Sequence, residues 1–288
     1  MTMNKPTFDG HVLRGRSSFT VSAKSPRTPP RLGLGKRIPY GTALGPLLLL
    51  LVWSLASASG LLDPRVLSQP WVVATTMVEL IQDGRLLTNL VTSAQRALLG
   101  LGLGILVGGV LGTIAGLSRV GEAVIDGPVQ AKRAIPTLAL IPLLILWTGI
   151  GEEMKVITIA IASSIQIYLH THQGLRSIDA RYVELARTLR LTHWKFIRKV
   201  ALPGALPGFL MGLRLAVTAS WLTLTAVEQI NSTSGIGYMM SLARSYGQTE
   251  IIMVGLVVYG LFGLSSDIAV RALEKRALCW RRSLAGNG

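Results

Sequence analysis

The sequence is poor in charged residues, and this scarcity decides its broad class. Only 15% of its 288 residues are charged, whereas an average soluble domain carries about 25%. Half of the chain is hydrophobic, and its mean hydropathy is +0.49. These proportions argue against an ordinary soluble enzyme. They also exclude a wholly disordered protein, because a disordered chain has too little apolar surface to bury.

Cysteine and histidine are also scarce. The lone Cys279 permits no internal disulfide, so nothing indicates an oxidised, secreted fold. Among the four histidines, His170 and His172 lie close together, but no third metal ligand accompanies them. Residues 33–37 contain Gly-x-Gly-Lys but lack the spacing and the hydroxyl residue of a phosphate-binding loop. We therefore expect no metal, no cofactor and no nucleotide site in this chain.

Acidic residues are outnumbered, with 14 Asp and Glu against 29 Lys and Arg. In a soluble chain a net charge of +15 would indicate nucleic acid. In a chain this apolar, the excess is typical of the cytoplasmic segments of a membrane protein. We expect no nucleic-acid partner, and we interpret residues 1–40 as a basic, disordered cytoplasmic tail beside membrane lipid.

Six stretches are apolar enough to cross a bilayer, which takes about 20 residues of helix. They are residues 38–62, 97–118, 134–151, 156–175, 206–227 and 251–266. With the N-terminus inside, 23 Lys and Arg residues fall in cytoplasmic segments and 3 in outer segments. Such a bias predicts that both termini are cytoplasmic. The sequence thus predicts an all-α membrane protein with six transmembrane helices.

The spans divide the chain into four parts. After the tail 1–40 come a first transmembrane helix at 41–62, a five-helix core at 63–273 with a cytoplasmic loop at 174–204, and a tail at 274–288. Residues 56–58 read Ala-Ser-Ala, which also fits a signal-peptide cleavage site, but the long basic leader favours a retained helix. Between the first two spans, apolar residues at helical spacing within 71–81 predict a short helix at the outer surface.

The second span has a stripe of small residues. Lipid is as apolar as the helices, so no hydrophobic effect drives the helices together. They associate instead where small residues allow their backbones to approach closely. We expect this span to be central in the bundle. The stripe consists of Gly100, Gly104, Gly108, Gly112 and Gly116. In the third span, Pro136 and Pro142 predict kinks.

Polar residues within the spans are candidates for lining a translocation pathway, because such residues usually face the bundle interior or a watery cavity. In the fifth span several of them fall on one face of a helix. The alternative is hydrogen bonding between helices or back to the helix itself, and the sequence leaves both open. The candidates are Thr218, Trp221, Thr225, Glu228, Gln229, Ser163 and Gln166.

The loop 174–204 carries the most specific pattern. It reads Glu184-Leu185-Ala186, then three residues to Arg190, then nine residues to Val-Ala-Leu-Pro. This pattern resembles the loop signature of permease subunits of binding-protein-dependent ABC importers: Glu-Ala-Ala, three residues, Gly, nine residues, Ile-x-Leu-Pro. The resemblance assigns coupling to an ATPase to Glu184, Leu185, Ala186, Arg187, Leu189, Arg190, Leu202 and Pro203.

Two positions depart from that signature. Leu185 stands at an alanine position and Arg190 at the glycine position. Glycine enters left-handed backbone conformations without strain, whereas arginine does not. We therefore expect the turn at Arg190 to differ from the glycine turn of the family.

Further matches are similar to the sulfonate, taurine and nitrate group of these permeases, and the resemblance covers about residues 67–274. The matches are residues 134–136, 143–147, 149–152, 174–179 and 234–238. The resemblance implies the permease core of a type I importer, working as a dimer in the bacterial inner membrane. It implies cytoplasmic ATPase subunits, a periplasmic binding protein and a second permease copy as partners, with an aliphatic sulfonate ahead of taurine or nitrate as cargo.

Two other classes fit the sequence less well. A secondary transporter driven by an ion gradient is expected to have coupling carboxylates in mid-span, whereas Arg214 and Glu228 lie near span ends. A membrane-embedded enzyme needs a nucleophile with its base, or a metal cluster. Four scattered histidines and one cysteine provide neither.

Overall fold

The structure, a computed structural model, describes residues 41–230 and 232–279. The predicted tail at 1–40 and the last nine residues lie outside the described residues. From Pro46 onward the chain forms one compact unit, and the packing described below concerns that unit. The unit before it, Met1–Gly45, contributes only the start of the first helix to the described residues.

The described elements are all helical, as predicted. A 3₁₀ turn at Thr137–Leu140 precedes α5, and a π-helical turn at Ile197–Ala201 joins α8 to α9. The helices are α1 (Gly41–Ala58), α2 (Pro70–Gln82), α3 (Arg85–Leu117), α4 (Arg119–Ala134), α5 (Ile141–Thr148), α6 (Glu152–Arg176), α7 (Ala180–Thr188), α8 (His193–Phe196), α9 (Leu202–Ile230), α10 (Ile236–Ser245) and α11 (Thr249–Ala277).

The count of six spans is not confirmed. By length and composition, α3, α11 and the continuous stretch His193–Ile230 are able to cross a membrane, and a bent pair around α5 makes a possible fourth span. The apolar part of α1, Leu44–Ala58, is shorter. The 25 residues of α6 are long enough, but polar residues such as Ser163 and Gln166 make this helix less apolar.

The third predicted span is a broken helix. α4 and the stretch Thr137–Thr148 meet at an angle of 94°. The break falls at Ile135, whose ψ of 122° is extended, because the residue before a proline is disfavoured in the helical region. Pro142 lies in the first turn of α5, where its missing N–H breaks no helical bond.

α6 lies at the centre of the unit, between α3 and α9. Its buried residues include Met154, Ile159, Ile167 and Tyr168. A second apolar cluster gathers around α2, where Val73 and Leu80 pack with residues of α10 and α11. The short helix predicted at 71–81 is therefore present, and it buries its apolar face against the bundle.

The glycine stripe lies on the face of α3 that contacts α6. A Cβ atom added to any of its five glycines would come within 3.0 Å of an atom of α6. A glycine has no side chain to hold the two backbones apart, so α3 and α6 approach closely along four helical turns. The α6 residues that such atoms would meet are Val156, Ile159, Ala160, Ser163, Ser164, Ile167, Tyr168, Thr171 and Leu175.

Replacing Gly104 with alanine tests this contact. Gly102 lies on the same helix with nothing within 4 Å of its Cβ position, so Gly102→Ala is the matched control. We expect Gly104→Ala to lower the free energy of unfolding by about 1–3 kcal/mol, the usual cost of overpacking. Gly102→Ala should leave it unchanged or raise it. Thermal unfolding of the purified protein measures both, and equal effects would contradict the contact.

Candidate functional site

The loop between α6 and α9 is folded into short helices. α6 ends at Arg176, and α7 begins at Ala180. The Asp179 carboxylate accepts a hydrogen bond from the Arg181 N–H at 2.9 Å, as a capping side chain does at a helix start. The guanidinium of Arg181 binds the same carboxylate at 2.6 Å and holds the pKa of Asp179 below its usual value. α7 is therefore a separate, capped helix.

α7 presents most of its signature residues to the outside. Glu184 is exposed, and Leu185 and Leu189 expose 54% and 62% of their surface. Ala186, in contrast, is buried. A small side chain thus faces the protein, and large apolar side chains face away from it. The side chain of Arg187 lies outside the described part of the structure.

The turn after α7 has glycine-like geometry at Arg190. Its φ is 46°, the one positive value at a non-glycine residue within the described ranges. The N–H of Leu191 donates to the carbonyl of Ala186 at 3.0 Å, which is the six-to-one bond of a Schellman cap. Arg190 therefore occupies the left-handed region, in which the cap bond holds it despite a cost of about 1–2 kcal/mol.

The end of the signature lies where α9 begins. Leu202 follows the π-helical turn directly and is 45% exposed, and Pro203 is the second residue of α9. Proline removes a helical hydrogen bond, and π-helical turns are frequent at functional sites. Pro203 borders a cleft of about 840 Å³ together with Gln173 of α6, Tyr182 of α7 and Lys199. The cleft therefore lies between the first turn of α7 and the end of the signature.

The candidate pathway residues of α9 fall at two separate pockets. Thr218 and Trp221 border a pocket of about 240 Å³ with residues of α11. Gln229 borders a different pocket of about 240 Å³, with residues of α10. The hydroxyls of Thr218 and Thr225 donate to carbonyls one turn earlier in α9. These two threonines therefore bond back to their own helix, which was the alternative to lining a pathway.

The two candidates on α6 lie inside the bundle. Ser163 is buried, and its hydroxyl donates to the carbonyl of Ile159 at 2.9 Å. The same side chain faces Gly104 of α3. Gln166 is partly buried where the α6 backbone approaches Gly212 of α9. Within one chain, the candidates form no continuous lining among the described residues.

A buried ion pair joins α3 to α9. The Glu228 side chain has no exposed surface, and Arg96 Nη1 lies 2.7 Å from its Oε1 atom. The same carboxylate accepts hydrogen bonds from the Ser93 hydroxyl (2.8 Å), the Tyr259 hydroxyl (3.0 Å) and the Gly237 N–H (2.9 Å). Donors from several elements thus enclose the carboxylate of Glu228, which also borders the pocket beside Gln229.

Arg96 uses all five of its N–H groups. Besides Glu228, its Nε and Nη2 atoms donate to the Glu152 carboxylate at 2.5 and 2.6 Å. Two further bonds reach the carbonyl and hydroxyl oxygens of Ser234, at 2.7 and 3.0 Å. Lys155 also donates to Glu152, at 2.9 Å. Two cations thus meet two carboxylates, the condition under which buried charges are tolerated. We name this polar cluster by its members, Ser93, Arg96, Glu152, Lys155, Glu228 and Tyr259.

The polar cluster also fixes the segment that precedes α10. The Gly235 N–H donates to Asn89 Oδ1 at 2.8 Å, and the Ile236 N–H donates to Ser93 Oγ at 2.9 Å. Gly235 has a φ of 108°, and a Cβ atom there would lie 2.7 Å from Arg96 Nη1. Only glycine fits that conformation and that space.

Residues 100–278 match the family described as the binding-protein-dependent transport system inner membrane component. The chain belongs to this family. The permease resemblance carried by the loop signature is thereby confirmed, and the matched residues include the glycine stripe, the loop and α9.

The permease has similar relatives along most of its length. It is 41% identical over 253 residues to an Escherichia coli (strain K12) protein named as an aliphatic sulfonates transport permease, SsuC, covering 88% of this chain and 95% of that one. Its Bacillus subtilis (strain 168) namesake is 37% identical over 250 residues, covering 86% and 91%. The taurine transport system permease protein TauC of Escherichia coli (strain K12) is 30% identical over 237 residues, covering 81% and 86%.

Solved transporter structures share the permease fold. An amino acid ABC transporter crystallised with histidines matches with a TM-score of 0.57 at 18% identity, covering 70% of this chain and 97% of that one. The inward-facing MetNI methionine ABC transporter matches with a TM-score of 0.54 at 18% identity, covering 66% and 97%. The all-helical fold is therefore that of an importer permease.

The sequence reasoning missed most of the permease's polar cluster. The sequence did not point to Arg96 or Lys155 as part of a site, and Glu152 entered only through the match at residues 149–152. One signal was available, because Asn89, Ser93 and Arg96 continue the helical spacing of the glycine stripe. The same face of α3 therefore changes from small to polar residues at one end.

The turn at Arg190 predicts a stabilising substitution. Arg190→Gly should raise the free energy of unfolding by up to about 1 kcal/mol, because relief of left-handed strain exceeds the added entropy of the unfolded chain. Thr188→Gly, two residues earlier and helical, should lower it by about 1 kcal/mol. Thermal unfolding of the three proteins measures the difference, and a loss of stability in Arg190→Gly would contradict the capped turn.

The buried ion pair predicts a large loss on removal of one partner. Arg96→Met leaves Glu228 buried without its cation, which typically costs about 3–5 kcal/mol. Arg85→Met on the same helix is the control, because Arg85 is 63% exposed and exposed pairs contribute about 0–1 kcal/mol. Chemical or thermal unfolding in detergent measures both variants. Similar losses in the two would contradict a structural role for the polar cluster.

Proposed function

We propose that this permease moves an aliphatic sulfonate into the cytoplasm, as the membrane subunit of an ABC importer whose ATP hydrolysis takes place in a separate protein. The observation that carries the proposal is α7, a capped helix with exposed signature residues on the loop between α6 and α9. The cargo is proposed from the two relatives named for aliphatic sulfonates. Taurine is the alternative supported by a named relative, and nitrate is the alternative from the sequence resemblance.

α7 is suited to dock in a groove of an ATPase subunit. Tyr182 and Leu185 on this short helix, and Leu189 directly after its end, are large apolar residues that are 60%, 54% and 62% exposed. Trp194, just beyond the turn, is 70% exposed. Clustered apolar side chains on an exposed helix are typical of a helix that binds in a groove of a partner. The exposed Glu184 adds a charge with which a partner's donor can pair.

Movement of α7 would be carried into the membrane by α9. The capped turn at Arg190 leads through α8 and the π-helical turn into the 29 residues of α9, a length of about 43 Å. At its far end, Glu228 of α9 is bonded to Arg96 of α3. A displacement of α7 by two closing ATPase subunits would thus reach the polar cluster. Such coupling needs a bundle with two discrete arrangements.

The proposed topology has six crossings, made by α1, α3, the bent α4–α5 segment, α6, α9 and α11. Both termini and α7 lie on the cytoplasmic side of the inner membrane, and the polar cluster lies towards the outer side. The basic residues of the loop 174–204 support this orientation, because cytoplasmic loops retain Lys and Arg. Membrane lipid surrounds α1 and α11, whose side chains are largely exposed.

The translocation pathway is proposed to lie between two copies of the permease. Thr218, Trp221 and Gln229 border pockets open to the surface of one chain, so a second copy would complete their lining. Ser163, Gln166 and Thr225 would hold the helices that carry these residues. A periplasmic binding protein would deliver the cargo and set most of the selectivity. A homodimer is the simplest such assembly, since a C2 axis pairs identical surfaces.

The proposal predicts that charge on α7 stops transport. Leu185→Lys and Leu189→Lys should abolish ATPase binding and ATP-dependent uptake, because a lysine cannot be buried unpaired in an apolar groove. Both residues are exposed, so the permease itself should fold normally. The measurement is co-purification with the ATPase, followed by ethanesulfonate uptake into proteoliposomes that also receive the binding protein.

Val66→Lys is the matched control, since Val66 is 77% exposed and lies outside the loop. Normal uptake by Leu185→Lys and Leu189→Lys would contradict the docking role of α7. Uptake by the wild type without the ATPase, driven by an ion gradient, would replace the importer with a secondary transporter. Preferred uptake of taurine or nitrate would change the cargo and keep the class.

A further inference from the structure

Glu152 is the exposed member of the polar cluster. Its side chain is 59% exposed, whereas the side chains of Arg96 and Lys155, which it contacts, are each 3% exposed. The other carboxylate, Glu228, has no exposed side-chain surface. Glu152 is therefore the one anion of the cluster that can leave its place without crossing the protein interior.

The charges around Glu152 favour an anion at its position. Glu228 neutralises Arg96 from one side, at 2.7 Å. If the Glu152 carboxylate left, Arg96, Lys155 and Glu228 would together carry a net charge of +1. An uncompensated buried charge is strongly destabilising. The position thus selects for whichever anion is able to enter it from water.

The donors around Glu152 have the arrangement that binds an oxyanion. Arg96 Nε and Nη2 each donate to a separate oxygen of Glu152, and Lys155 Nζ donates to Oε1. A guanidinium binds two oxygens of carboxylate, phosphate or sulfonate groups in this forked manner. A sulfonate carries the same charge as a carboxylate and offers a third oxygen. It could therefore accept all three of these hydrogen bonds.

We propose that Arg96 and Lys155 form an oxyanion subsite in which the Glu152 carboxylate is a built-in substitute for the transported anion. An alkyl sulfonate that arrives from the exposed side replaces the carboxylate, and Glu152 turns towards water. The sulfonate as ligand rests on the proposed function, whereas the subsite rests on the geometry alone. Because Glu152 is attached to the chain, its effective concentration is high. A free sulfonate then binds the wild-type permease only weakly, as suits a subunit that must release its cargo.

Glu152→Gln tests the subsite, because it keeps the side-chain shape and removes the competing charge. Glu153→Gln is the matched control, since Glu153 is exposed on the same turn and the described residues give it no ion pair. The full-length permease in lipid nanodiscs is titrated with ethanesulfonate in chloride-free buffer, and its thermal unfolding midpoint is followed. We expect Glu152→Gln to respond at a concentration at least tenfold lower than the wild type and Glu153→Gln to match the wild type.

Removing Lys155, the second cation of the subsite, should abolish the stronger response of Glu152→Gln to ethanesulfonate. The double variant Glu152→Gln with Lys155→Met has no net charge in the cluster, so we expect its response to ethanesulfonate to return to the wild-type level. If Glu152→Gln does not fold in anion-free buffer, ethanesulfonate present during solubilisation should restore folded protein. A folded Glu152→Gln that responds no better than the wild type, or an unfolded one that ethanesulfonate does not rescue, would overturn the subsite.

Two further outcomes separate the causes of failure. Equal stabilisation of Glu152→Gln by chloride and by ethanesulfonate would overturn an oxyanion subsite. A monatomic ion cannot accept two parallel hydrogen bonds on separate oxygens. Sulfate acting like ethanesulfonate would support an oxyanion subsite without preference for the alkyl group. A failed titration beside normal ATP-dependent ethanesulfonate uptake by the wild type would refute the subsite and leave the proposed function standing.

Discussion

The close contact between α3 and α6 is the interaction on which the rest of the structure depends. In lipid, helices associate through close backbone packing and polar bonds rather than through burial of apolar surface. The glycine stripe allows that approach along four turns of α3. The same face continues into Asn89, Ser93 and Arg96, which bind Glu228 and the segment before α10. One face of one helix therefore holds most of the bundle together.

α9 is attached to this pair of helices at two levels. Near its start, Gly208 lies against the backbone of α6 at His170 and Gly174. Near its end, the Glu228 carboxylate is enclosed by donors from α3 and α11. Between these levels α9 is free to tilt only if one attachment yields. The polar cluster is the attachment with an exposed member, Glu152, whose place we propose the transported anion takes.

Features that depend on local sequence were predictable. The helical class, the helix at 71–81, the glycine stripe and the loop signature follow from composition, spacing and the residues themselves. Features that depend on distant partners were not. The bonding of Glu228 was not predictable, because its partners Arg96 and Tyr259 lie 132 and 31 residues away in the sequence. α6 was counted as an ordinary span, yet its polar residues face other helices. At Arg190 the cap bond is local, from the Leu191 N–H to the Ala186 carbonyl, but an arginine in the left-handed region is not what residue preference predicts.

The close packing along the glycine stripe predicts that α3 and α6 move as one body while, in the proposed importer, α7 and α9 transmit the work of an ATPase. Spin labels at Leu98 and Glu153, in a Cys279→Ser background, report the distance between these two helices, since both residues are exposed. Double electron–electron resonance on the permease with its ATPase and binding protein compares the nucleotide-free and ATP-bound states. The account predicts a distance between the two labels within one copy that ATP does not change, beside any distances between the two copies of the proposed homodimer. A shift of the distance within one copy on ATP binding would contradict it.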